Sequence, residues 1–145
     1  MSRQLDSIGY AGLVFNAVRH VLVVDADPDA VSYANTSLPG MELEAVATSV
    51  AALERVVGST FDAVLLDPAL SEGDDDALAL LHRMRTVAPD TVVVIWSEQP
   101  TVGFAVRAMR AGALDVLKKT AAAAVFFRTS SAPARIARTA KPTVG

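Results

Sequence analysis

The sequence contains no cysteine. That excludes a disulfide framework and any cysteine-ligated metal centre, and it fits a reducing compartment. No apolar run approaches the ~18 residues that a membrane-spanning helix needs, so no membrane association is expected. The first twenty residues, MSRQLDSIGYAGLVFNAVRH, include Asp6 and lack a continuous apolar block of signal-peptide length. A cytoplasmic address follows as the expectation. Charge of one sign is not in large excess: 13 basic against 16 acidic residues give a formal net charge of −3, which offers no reason to expect nucleic acid as the main partner. No repeat of 20 to 50 residues is visible, so solenoids are excluded.

What is present is a globular balance, 52% hydrophobic and 20% charged over 145 residues, enough for one domain with a core. From residue 21 to 119 apolar runs alternate with amphipathic segments, the pattern of βα units around a parallel sheet. VLVV (Val21 to Val24), FDAVLL (Phe61 to Leu66) and TVVVIW (Thr91 to Trp96) are nearly unbroken and rich in β-branched residues, as expected of central strands covered on both faces. MELEAVA (Met41 to Ala47) alternates with Glu42 and Glu44, and LDVLK (Leu114 to Lys118) is short and carries an acid. Both read as edge strands.

Helical spacing marks four segments between them. Val102, Ala105, Val106, Met109 and Ala113 form one stripe with Arg107 and Arg110 turned outward, and Leu78, Leu81 and Met84 form another. Val50, Leu53 and Val57 form a shorter one that ends at Gly58, and Pro28 suits the first turn before Val31, Ala34 and Leu38. AAAAVFFR (Ala121 to Arg128) is a candidate closing helix. Residues 1–19 read as an N-terminal extension, 20–130 as the domain and 131–145 as a loose basic tail, since no acid follows Asp115.

In an open α/β sheet, ligands bind outside the carboxyl ends of the strands where the strand order reverses. Strand one runs into Asp25, strand three into Asp67, strand four into Ser97 and strand five into Lys118 and Lys119. In the order 2-1-3-4-5 these would meet in one crevice. Two acids, a hydroxyl and a lysine suit phosphoryl transfer to a carboxylate, with one aspartate as nucleophile, another holding Mg²⁺ and the lysine balancing charge. Each residue taken alone has a plainer reading: the acids as turn or N-cap residues, Ser97 as a helix cap, Lys119 as solvated, and Asp74, Asp75 and Asp76 as a polar loop.

VLVVDADPDA, FDAVLLDPAL, LALLHRMR, VVVIWSEQ and AVRAMRAGALDVLKK together resemble the receiver domain of bacterial two-component response regulators, over about residues 20 to 120. The resemblance implies a doubly wound, flavodoxin-like α/β fold with a five-stranded parallel sheet. It also implies phosphorylation by a sensor histidine kinase or phosphotransfer protein with Mg²⁺, and signalling to a downstream protein target, rather than an enzyme acting on other substrates. By position it makes Asp67 the phosphoacceptor, Asp25 the first member of an acidic pair, Ser97 the switch hydroxyl and Lys119 the lysine after the last strand. Asp25, Asp67 and the backbone carbonyl of Ala69 would be the metal ligands.

The chain departs from the family pattern at several positions. Ala26 replaces the second acid of the pair, a direct metal ligand in the family, which implies weakened Mg²⁺ binding. Asp27 is better placed as an N-cap before Pro28 than as a substitute ligand. SEGDDDA (Ser71 to Ala77) is longer than the usual loop, Val116 stands at the position of the switch aromatic, and Thr120 replaces the proline after Lys119. Two other readings compete with the phosphoacceptor. One is a pseudo-receiver that binds partners without phosphorylation, as a homodimer through the fourth helix and fifth strand. The other is an aspartyl phosphatase of the haloacid dehalogenase type, which DAD, Ser97 and Lys119 match superficially.

Overall fold

The computed structural model describes residues 18–119. Their elements alternate: β1 (His20–Val24), α1 (Pro28–Ser37), β2 (Glu42–Val46), α2 (Ser49–Gly58), β3 (Ala63–Leu66), a 3-10 turn (Pro68–Leu70), α3 (Asp74–Val87), β4 (Val92–Ser97), α4 (Val102–Arg110) and β5 (Asp115–Lys118). All four pairings are parallel and the strand order is β2-β1-β3-β4-β5. The expected doubly wound five-stranded sheet is therefore present, with β2 and β5 at its edges. The extension before Val18, Thr120, the segment Ala121 to Arg128 and the basic tail lie outside the described residues.

Burial explains why the central runs are unbroken. Val21 to Val24 and Val64 to Leu66 are fully buried, because helices cover both faces of the sheet. Leu22, Val24, Val64, Leu66, Val93 and Ile95 point to the side packed by α2, α3 and α4. Their neighbours Val21, Val23, Leu65, Val94 and Trp96 point to the side packed by α1. Each such aliphatic side chain contributes about 1.5–3 kcal/mol on burial, so a charge at any of these positions is incompatible with the sheet.

The helices start where side chains cap them. Asp27, Thr48 and Thr101 accept from the backbone N–H groups of Asp29, Ala51 and Phe104, which have no partner within the helix. At the other end of α4, Gly112 takes φ 113°, a conformation that suits glycine, and turns the chain into β5. Asp62 ties the amino-terminal edge of the sheet, its Oδ2 accepting from the N–H groups of Arg19 and His20 at 2.9 and 3.0 Å.

Three sequence expectations need correction. The stripe Val102, Val106 and Met109 lies outward, with Val102 82% exposed, while Phe104 and Ala108 are the buried face of α4. Likewise Val50 and Val57 of α2 are exposed and Ala52 and Val56 face the sheet. Both helices carry apolar residues on opposite sides, so helical spacing alone does not choose which side packs on the sheet. Finally, Asp74, Asp75 and Asp76 form the first turn of α3 rather than a loop, where acids interact favourably with the positive end of the helix dipole.

Candidate functional site

Register alone brings the two acids together. Val24 pairs with Leu66, so Asp25 and Asp67 leave adjacent strands at the same level. Asp67 N–H donates to the Val24 carbonyl at 2.9 Å, and Asp25 N–H donates to the Val46 carbonyl at 3.0 Å. Both acids are buried, at 3% and 9% exposure, which for unpaired carboxylates would be strongly unfavourable.

Each carboxylate divides its work between its two oxygens. Oδ1 of Asp25 accepts from the Asp27 N–H at 2.9 Å, and Oδ1 of Asp67 accepts from the Ala69 N–H at 3.0 Å. These are the turn and cap roles expected of any acid after a strand. The second oxygens have a different partner. Lys119 Nζ lies 2.6 Å from Asp25 Oδ2 and 3.0 Å from Asp67 Oδ2, with its side chain only 9% exposed. The ammonium thus bridges the two acids, meeting each at its Oδ2. The plain and the chemical readings of the acids are thus both true, on different atoms.

Lys119 reaches this position because β5 pairs with β4. Ser97 lies opposite Lys118, and the Lys119 N–H donates to the Ser97 carbonyl at 2.9 Å. Burial works to lower the Lys119 pKa, but the contacts with Asp25 and Asp67 outweigh it and hold the pKa above the ordinary lysine value. Ser97 ends β4 beside β3, at the same rim as Asp67. Ala69 sits in the 3-10 turn after Asp67, whose backbone bonds use the carbonyls of Asp67 and Pro68 and leave that of Ala69 outside them.

Ala26 is exposed directly after Asp25 and, with a methyl side chain, brings no ligand. Among the described residues no three acidic or histidine side chains are grouped to hold a metal. The pocket therefore offers Mg²⁺ two carboxylates at most. Such a set suits an ion that keeps much of its water shell and takes further oxygens from a bound phosphate, and Asp25 and Asp67 are the side chains that would hold it. Asp27, capping α1 through the Asp29 N–H, is not a substitute ligand.

The sequence did not foresee the ion pair that joins the first turn of α3 to α4. Arg107 of α4 pairs with Asp75 at the start of α3, with Nη2 to Oδ1 at 2.5 Å. Both partners are exposed, so the pair contributes little to stability. Nothing in the local sequence signals it, since the residues are 32 positions apart.

A doubly wound parallel sheet with two buried acids and a lysine gathered at the carboxyl ends of its strands is a flavodoxin-like α/β domain with a polar site at that rim. The chain belongs to the response regulator receiver domain family, whose model matches residues 21–128. The expectation from sequence is borne out, and the dehalogenase-type alternative is set aside. Among curated proteins none matches the chain. Among solved structures, a response regulator from Thermotoga maritima is 25% identical with a TM-score of 0.65, covering 70% of this chain and 85% of that one. A CheY-like receiver domain protein from Methanospirillum hungatei is 19% identical with a TM-score of 0.68, covering 89% and 100%. A response regulator from Burkholderia pseudomallei, 21% identical with a TM-score of 0.68 over 86% and 75% of the two chains, was solved with a phosphorylated aspartic acid, a calcium ion and citrate. Among the described residues no helix is long and apolar enough to cross a membrane.

Proposed function

We propose that this receiver domain accepts a phosphoryl group on Asp67 from a sensor histidine kinase or phosphotransfer protein, in the cytoplasm, with weakened binding of Mg²⁺. The observation that carries the reading is the convergence of Asp25 Oδ2 and Asp67 Oδ2 on Lys119 Nζ. Asp67 Oδ2 forms a bond to phosphorus as the donor's bond to phosphorus breaks, and the donor keeps that electron pair. Lys119, already at Oδ2, offsets the charge gathered on the phosphoryl oxygens. The Ser97 hydroxyl supplies a hydrogen-bond donor at the same rim. Mg²⁺, where held by Asp25, Asp67 and the Ala69 carbonyl, would supply further positive charge. The domain acts on itself as an acceptor, not as an enzyme with a separate substrate.

The outward stripe Val102, Val106 and Met109 on α4 suits a downstream protein target, since an exposed apolar patch marks an interaction surface. The test is intact mass after incubation with acetyl phosphate, with and without Mg²⁺, followed by borohydride trapping and peptide mapping. One added phosphoryl group located on Asp67, and none in Asp67→Asn, is the expected result. Label on Asp25 would overturn the assignment.

A second reading, the phosphorylation-independent pseudo-receiver, is favoured by the absence of a three-acid group among the described residues. No label on Asp67 under any of these conditions would make it the better one.

A further inference from the structure

We infer that the face formed by α2 and α3 is a self-association surface, on which a second copy of this chain packs with its α3 antiparallel. The face is a continuous groove in two parts, with volumes of about 440 and 410 Å³, that share Leu53 and Arg83. One part begins at Leu70, Ser71 and Glu72, just after the acceptor turn, and the other ends at Val57, Thr86 and Val87. Val50 and Val57 are 68% and 69% exposed and Val87 is 49% exposed, on helices whose inner faces are already packed against the sheet. The inference does not rest on phosphorylation of Asp67.

The arrangement of charge selects the occupant. Glu72 and Asp76 line the first part of the groove, His82 the second, and Arg83 the junction of the two. Neither Asp76 nor Arg83 has an ion-pair partner among the described residues. They flank the exposed Ala79 on α3, and seven residues of helix separate them by about 10.5 Å, too far to pair with each other. A two-fold axis near Ala79 places Asp76 of each copy opposite Arg83 of the other. The same operation sets Val50 in the first part against Val57 and Val87 in the second. Ala79, the smallest side chain of this outer face, lets the helices approach at the axis. An isologous interface requires this kind of self-complementarity, in which residue i meets j and j meets i. An unrelated acidic or basic peptide would be repelled in one part of the groove.

Sedimentation of the full natural chain over a concentration series tests the inference. A reversible monomer–dimer equilibrium is expected, weakened at least about tenfold in Val57→Glu and in Arg83→Glu, because each change acts twice across the axis and like charges brought together oppose association. The double variant Asp76→Arg, Arg83→Glu restores the opposite-charge pairs and should recover dimerisation. Asp67→Asn should dimerise like the natural chain, which separates this inference from the phosphoacceptor reading. The changed side chains are exposed, so circular dichroism should show an unaltered fold. A natural chain that stays monomeric throughout the series would overturn the inference. So would a double variant no better than Arg83→Glu, or a dimer lost in Val102→Glu, Val106→Glu and kept in Val57→Glu, which would assign self-association to α4 instead.

Discussion

Lys119→Met is expected to destabilise the domain by roughly 3–5 kcal/mol, the magnitude typical of removing one partner from a buried ionic group. The substitution keeps much of the aliphatic stem and takes away the ammonium that contacts Asp25 and Asp67. Two buried carboxylates then face each other without a cation, and charges about 4 Å apart repel by ~4 kcal/mol at an effective dielectric of 20. Urea denaturation near neutral pH measures the loss, with the exposed neighbour as control: Lys118→Met should remain within about 0.5 kcal/mol of the natural chain. The pH dependence has a defined sign. The folded-state pKa of Lys119 is raised above the ordinary value of 10.5, so its stabilisation is fully present below that value and is lost as pH rises through the folded pKa. The natural chain should therefore show an alkaline fall in stability above about pH 10.5 that Lys119→Met lacks. If Lys119→Met is as stable as Lys118→Met, the ammonium is not compensating the two acids.

Ala26→Asp is expected to tighten Mg²⁺ binding at least about tenfold, or ~1.4 kcal/mol, since even changes in groups behind the direct ligands commonly alter metal affinity 10 to 100-fold. Ala26 is exposed directly after Asp25, and the intervening turn is fixed by the Asp27 N–H on Asp25 Oδ1, so an acid at position 26 adds a third carboxylate next to Asp25 without disturbing the core. Titration calorimetry is the suitable measurement. Trp96 is a less direct reporter, because its ring is buried in the core beneath α1, stacked on Tyr33 with centroids 6.1 Å apart. A natural chain that binds Mg²⁺ as tightly as Ala26→Asp would show that position 26 is not where the affinity was lost. A variant that gains metal while Asp67 still accepts no phosphate would place the lost chemistry elsewhere, at Ser71 to Ala77, Val116 or Thr120, and would favour the pseudo-receiver.

The sequence by itself determined the sheet. Unbroken β-branched runs at Val21 to Val24 and Val92 to Ile95 read as strands covered on both sides, the alternation in Glu42–Val46 reads as an edge, and the resemblance to receiver domains implied the doubly wound order. The sequence also placed Asp25, Asp67, Ser97 and Lys119 at strand ends, where a parallel sheet gathers its polar groups. Which side of α2 and α4 is buried was decided by the tertiary structure alone. Val50 with Val57, and Val102 with Val106, are as periodic as the stripes that are buried, and periodicity does not record how close a helix must come to the sheet. Ala52 with Val56, and Phe104 with Ala108, face the sheet, while Val50, Val57, Val102 and Val106 stay outside. The division of labour within each aspartate was equally invisible. That Oδ1 serves the turn while Oδ2 meets Lys119 depends on the register of three strands, a long-range fact that no local run of residues encodes.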